Sequence, residues 1–273
     1  MVTAELKLAC LECYVDAKKI KPMGIIMAVR QSIKNLAAKV MLEKLGKILI
    51  LDFAEVFELI PNVDWLPMDV YHSIELKDST QKITSRLYST LWKYHKVWKT
   101  LIEQHVKSSP LQPSNSVHAS PAFLAPKTNP SDLLCWVNDY HVPNANTILD
   151  TFPLPQVNDI LADCPQATVW SKMDMTNSFF QTLMKPDDMW KTAVTTPFGL
   201  HEWIVMPMGL CNLPPIHQHC VTAALWHLIG KICHVYIDDI MIWSNSMEDL
   251  TRDIQLVLQT LCDASLYLNP KKC

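Results

Sequence analysis

The strongest constraint in this chain is His234-Val235-Tyr236-Ile237-Asp238-Asp239-Ile240-Met241-Ile242-Trp243, where two adjacent aspartates interrupt runs of β-branched and aromatic residues. Such runs form strands, and the pattern reads as strand, tight turn, strand, with the carboxylates at the tip. Neighbouring charges beside a buried strand need a positive partner. Carboxylates concentrated on one rigid tip suit hard divalent cations such as Mg²⁺, which prefer oxygen ligands. Taken alone, an Asp-Asp pair is more often a turn or a helix cap.

A second acidic strand end lies upstream. Val169-Trp170-Ser171-Lys172-Met173 runs into Asp174 and Met175, and a helix-like stretch from Thr176 to Gln181 follows. If Asp174 comes to lie beside Asp238 and Asp239, three carboxylates converge. Such a cluster can hold two metal ions about 3.5–4 Å apart, the arrangement used for in-line phosphoryl transfer.

Length and composition bound the rest. At 273 residues with 49% apolar content, the chain can bury one large core or two small ones. No apolar run approaches the roughly 20 residues of a membrane span. The first residues carry an early acid and no long apolar core, so no secretory signal and no membrane role are expected. The nine cysteines are scattered. Cys10 and Cys13 make one C-x-x-C with no second pair, and reduced thiols in the cytoplasm or nucleus are the simpler account. His217, His219, Cys220 and His227 fall within one helical stretch, but their spacing fixes no complete zinc set.

Taken in order, the apolar periodicity from Ile25 to Leu51 predicts a helical linker over about 1–50. Phe53 to Ile60 predicts a short helix, and Val70 to Leu76 alternates like a strand. Tyr94 to Val106 is amphipathic, with Val97, Trp98, Leu101 and Ile102 apolar. Ala122–Ala125 and Leu133–Val137 predict paired strands around a polar loop at 127–132. A helix is expected at Asn158–Ala162. Thr192–Val194 and Glu202–Val205 predict a strand pair turning at Pro197-Phe198-Gly199. Long helices are expected over Pro214–Leu228 and Ser246–Ala264. Ser246 caps the latter, and Leu250, Ile254, Val257, Leu258 and Leu261 form its apolar face. Leu266–Leu268 reads as a closing strand.

Several motifs recur in a fixed order from about Phe57 to Lys272. They are Ser120-Pro121-Ala122-Phe123, Asn138-Asp139-Tyr140, Asn144-Ala145-Asn146-Thr147 and Phe152-Pro153-Leu154-Pro155. Lys172-Met173-Asp174-Met175-Thr176-Asn177-Ser178-Phe179-Phe180-Gln181, Thr196-Pro197-Phe198-Gly199, Val205-Met206-Pro207-Met208-Gly209-Leu210, Tyr236-Ile237-Asp238-Asp239 and Asn269-Pro270-Lys271-Lys272 follow. Together they resemble the reverse transcriptase of gypsy-type LTR retrotransposon Pol polyproteins, most closely fungal members.

The resemblance implies an α+β right-hand polymerase, with fingers over about 85–165 and palm over about 166–273. The palm would be an antiparallel sheet with packed helices, and the thumb would be missing. It further implies RNA-directed DNA polymerase activity with two Mg²⁺ ions, or Mn²⁺ in their place. Asp174, Asp238 and Asp239 would be the catalytic metal ligands, with the backbone carbonyl of Met175 as a further oxygen. Lys127 would contact the triphosphate and Phe179 would gate the sugar. Met208 and Gly209 would line the nucleotide pocket, and Tyr236 would pack near the primer end. The implied partners are an RNA or DNA template with primer, and deoxynucleoside triphosphates.

Two features depart from this pattern. The net charge is −3, although proteins that grip nucleic acid are usually basic. Arginine occurs only at Arg30, Arg86 and Arg252. Trp92, His95, Gln112, Cys135, His141, Cys211, His219, Cys220 and Trp226 stand where the family usually has arginine. Each is what an arginine CGN codon becomes after one C-to-T change on either strand; Leu91 and Leu213 fit the same direction. The expectation is a copy worn by cytosine deamination. Its alternative is a non-catalytic nucleic-acid-binding remnant or an unproductive retroelement fragment.

Overall fold

This computed structural model describes residues 40, 42–58, 71–84, 88–126, 134–163 and 167–273. The chain divides into two compact units, Met1–Asp52 and Phe53–Cys273. In the first, residues 42–52 are helical. Cys10, Cys13, Lys127 and the whole polar loop at 127–132 lie outside the described residues.

Among its described residues, the second unit carries an α+β fold of three sheets. A three-stranded antiparallel sheet is ordered β5 (Val169–Asp174), β10 (Asp239–Ser244), β9 (Cys233–Tyr236). Alternation over part of each strand builds it. Met173, Ile240, Ile242, Val235 and Cys233 are buried on one face, while Lys172 and Trp170 are exposed on the other. Two helices cover the buried face. The helix α5 (Met247–Asp263) lies on β10 and β5, and α4 (Leu213–Leu225) lies against β9. All five expected apolar positions of α5 are buried, and Ser246 Oγ accepts the Asp249 N–H at 3.1 Å as its cap. This is the palm.

A second sheet is five-stranded. Its order is β2 (Leu111–Pro113), β8 (Gly199–Trp203), β7 (Val194–Thr196), β3 (Ser120–Ala125), β4 (Cys135–Asn138). A helix, α1 (His95–Lys107), packs on it through Trp98, Leu101 and Ile102. Trp98 meets Trp136 edge-on at 4.8 Å, and Trp136 meets Trp203 at 5.5 Å. These rings tie α1, β4 and β8 into one core, where aromatic burial dominates the packing energy. Short helices α2 (His141–Asn146) and α3 (Val157–Ala162) follow β4, and a small parallel pair joins β1 (Tyr71–His72) to β6 (Leu183–Met184).

Several expected elements are shorter than their patterns imply. The strand expected over Val70–Leu76 keeps only Tyr71–His72, with Leu76 making one bridge to Thr147. No α-helix starts at Thr176. Asn177 takes a left-handed backbone, φ 41°, which interrupts helical continuation, and only a 3₁₀ turn, Ser178–Gln181, follows. Thr192 ends a 3₁₀ helix rather than opening a strand. The expected closing strand reduces to a single bridge between Met175 and Leu268.

Candidate active site

The three-stranded sheet gathers residues that are 65 positions apart in the chain. Asp239 pairs across the ladder with Asp174 on one side and with Tyr236 on the other. Cross-strand partners share a face, with Cβ atoms about 4.5–5.5 Å apart. Asp174, Asp239 and Tyr236 therefore form one row across β5, β10 and β9. Asp238 sits in the two-residue turn beside it, and its carbonyl accepts the Met175 N–H at 2.9 Å. That bond ties the turn to the end of β5.

The carboxylates differ in exposure and in partners. Asp174 is buried, and Lys272 Nζ lies 3.1 Å from both of its oxygens. Lys172 Nζ lies 2.8 Å from Asp239 Oδ2. Lys172 stands two residues before Asp174 and so on the same face. The hydrogen bond to Asp239 raises its pKa, and the charges of Asp239, Asp174 and Asp238 add to the effect. Among the described residues, no group of three or more acidic, histidine or cysteine side chains is drawn together tightly enough to hold an ion. Here the lysine ammonium groups neutralise Asp174 and Asp239 directly.

Lys272 reaches Asp174 because the end of the chain is fastened there. The Asn269 N–H donates to the Asp174 carbonyl at 2.8 Å. Gln181 holds the segment before it: its amide nitrogen donates to the Thr176 and Tyr267 carbonyls at 2.7 and 2.9 Å, and its oxygen accepts the Tyr267 N–H at 2.8 Å. Gln181 lies inside the quoted motif, but sequence alone gave it no role.

The turn bearing Asp238 is also braced. Ile237 has φ 55°, a conformation that costs a β-branched residue on the order of 1–3 kcal/mol. Its N–H donates to Gln218 Oε1 at 2.7 Å, and Gln218 donates in turn to the Val235 carbonyl at 3.1 Å. Gln218 is likewise a residue that sequence reading left without a role.

The expected nucleotide-pocket residues lie on neighbouring elements. Phe179 is half-buried and meets His217 of α4 edge-on at 5.4 Å. Burial lowers the pKa of His217 to about 4, so the ring is neutral, and neither of its nitrogens has a hydrogen-bond partner. Met208 and Gly209 are exposed in the loop before α4. Asn144 holds that loop, donating to the Gly209 carbonyl at 2.8 Å and accepting the Cys211 N–H at 3.0 Å. Gly209 has φ 105°, and a Cβ there would sit 3.1 Å from the Asn138 carbonyl. The positive φ and this tight approach together favour glycine here. Tyr236 is exposed beside Asp239.

Cys135 and His141 occupy the positions where arginine was expected. Cys135 opens β4, its thiol 3.7 Å from the Trp136 carbonyl. The His141 ring is exposed and hydrogen-bonds to Asp139, which also accepts from the Tyr88 hydroxyl.

Comparison with known proteins agrees with this architecture. The family described as reverse transcriptase (RNA-dependent DNA polymerase) matches residues 86–273. The retrovirus-related Pol polyprotein from transposon opus of Drosophila melanogaster is 32% identical over 228 residues, covering 81% of this chain and 22% of its own length. That from transposon gypsy of the same organism is 31% identical over 198 residues, 70% of this chain and 19% of its own length. The chain thus spans about a fifth of these relatives. The foamy viral protease-reverse transcriptase, solved in complex with RNA/DNA hybrid, shares the fold with a TM-score of 0.71 at 21% identity. The match covers 82% of this chain and 30% of that one. Over more than half of its length, then, this chain is a member of the reverse transcriptase (RNA-dependent DNA polymerase) family, akin to the Pol polyproteins of gypsy and other LTR retrotransposons.

Proposed function

We propose that this chain is the palm-and-fingers part of an RNA-directed DNA polymerase, which adds deoxynucleotides to a primer 3′-hydroxyl. The observation that carries this reading is the row Asp174, Asp239, Tyr236, with Asp238 in the adjoining turn. The donor set fits Mg²⁺ or Mn²⁺, because carboxylate oxygens suit hard cations and two ammonium groups already stand against them. Two such ions, when bound, supply activation of the hydroxyl and charge neutralisation of the leaving pyrophosphate. Asp174, Asp238 and Asp239 would hold them, with the Met175 carbonyl as a further oxygen.

The chain's own residues then have separate tasks. Tyr236, next to the carboxylates, packs near the primer end. Phe179 places a flat ring under the sugar, where a 2′-hydroxyl would collide with it. Met208 and Gly209 line the nucleotide pocket, and Lys127 contacts the triphosphate. The partners are a primed RNA or DNA template and deoxynucleoside triphosphates. The complexes of the foamy viral enzyme with RNA/DNA hybrid and double-stranded DNA support the first of these.

Activity of this copy is impaired. A thiol at Cys135 offers no permanently charged, bidentate fork for a triphosphate. Loss of such a clamp removes about 3–4 kcal/mol of transition-state stabilisation, or roughly 10²–10³ in rate. Primer extension by the full chain, beside a Cys135→Arg, His141→Arg version, tests this. The substituted chain is expected to extend primers far faster. Robust synthesis by the unaltered chain would refute the impairment. Primer-template binding without incorporation by either version would favour the non-catalytic remnant.

A further inference from the structure

Asp238 lies in, and Asp239 directly follows, a turn that is gripped from outside the sheet. The grip is one side chain. Gln218 is buried on α4, and its amide makes three bonds. The oxygen accepts the Ile237 N–H at 2.7 Å. The nitrogen donates to the Val235 carbonyl at 3.1 Å and to Thr222 Oγ1 at 3.0 Å. Both donor hydrogens and the acceptor are used, so the amide can be oriented in only one way. Thr222, one helical turn along α4, anchors it. The bonds to Val235 and Ile237 bracket Tyr236, so strand end and turn are held together.

The bond to Ile237 has a particular consequence. A β-branched residue leaves φ 55° readily unless something holds it there. Relaxation to negative φ would rotate the peptide that leads into Asp238 and re-aim its carboxylate. Glycine, by contrast, adopts positive φ without help.

We propose that Gln218 is a positioning residue. It holds Ile237 in the left-handed conformation and thereby sets Asp238 and Asp239 against Asp174. This rests on the reading of those carboxylates as metal ligands. Gln218 itself touches neither metal nor substrate; it acts through the backbone of the turn.

The test uses the full chain with Gln218→Met and Ile237→Gly, singly and together, and Mn²⁺ as the probe. Mn²⁺ affinity is read by electron paramagnetic resonance, and amide exchange by NMR on isoleucine-labelled protein. Gln218→Met is expected to cut protection of the Ile237 amide about tenfold while Ile240 and Ile242 keep theirs, and to weaken Mn²⁺ binding about tenfold. In the Ile237→Gly background, the same substitution should weaken Mn²⁺ binding by less than about threefold, because the turn no longer needs holding. Unchanged affinity in Gln218→Met, or an equal loss in both backgrounds, overturns the proposal. An Asp174→Asn control separates the two levels. Mn²⁺ binding that ignores Asp174 sinks the metal-site reading and this role with it. Binding that depends on Asp174 but ignores Gln218 sinks the positioning role alone.

Discussion

Lys272 holds its ammonium 3.1 Å from both carboxylate oxygens of Asp174, so the most buried acid of the site is neutralised by the last turn of the chain. A divalent cation bound by Asp174 must therefore compete with a resident cation. Lys272→Met leaves a buried carboxylate without a partner and should lower stability by about 1 kcal/mol, a modest figure because the lysine is largely exposed. Mg²⁺ should then raise the melting temperature of the variant more than that of the parent chain, since ligand binding to the native state stabilises it by mass action. Thermal unfolding across a Mg²⁺ titration reads both effects. Equal shifts in the two proteins would mean that Lys272 and the ion do not share Asp174.

Two buried histidines are the most strongly shifted groups behind the pH dependence of stability, and burial lowers His105, His118 and His201 in the same direction. Burial lowers both His72 and His217 from 6.5 to about 4; at His72 it outweighs the nearby charges of Asp188 and Asp150. A depressed pKa means that the unfolded chain binds the proton first. The share of stability from these two rings is full above pH 6.5, falls as pH drops from 6.5 towards 4, and levels below that. Each ring contributes about 3 kcal/mol to the fall. His217→Phe removes one titration and two unpartnered nitrogens. Its unfolding free energy should change less steeply with pH across this window than that of the parent, as measured by denaturant titration. A slope identical to the parent's would show that His217 is solvated.

Gly209 is constrained by its own backbone and by its neighbours. It has φ 105°, and an added Cβ would meet the Asn138 carbonyl at 3.1 Å and the Tyr140 ring at 3.3 Å. Gly209→Ala should destabilise the protein by about 1–3 kcal/mol. It should also displace the loop carrying Met208, whose carbonyl Asn138 reaches at 3.5 Å. Calorimetry checks the first effect and limited proteolysis of the loop the second. A variant as stable as the parent would remove the packing argument for this glycine.

The fold was legible in the sequence wherever one simple pattern governs the residues. Runs of β-branched and aromatic residues marked β9 and β10, an apolar run ending at Asp174 marked β5, and helical spacing marked α1 and α5, because each helix buries one face. What could not be read locally is which strands become neighbours. The contact between Asp174 and Asp239 spans a register that no local pattern encodes; only the resemblance anticipated it. The same holds for Gln181, Gln218 and Lys272, whose partners are distant in the chain. The stop after Thr176 had a local signal, since asparagine tolerates the left-handed backbone found at Asn177, but the helical pattern masked it.

The most direct test of the account is Mg²⁺-dependent primer extension by the Cys135→Arg, His141→Arg chain, with and without Asp174→Asn. The account predicts template-directed synthesis that the Asp174→Asn substitution abolishes, while circular dichroism shows the fold intact. Synthesis that survives the loss of Asp174 would contradict it.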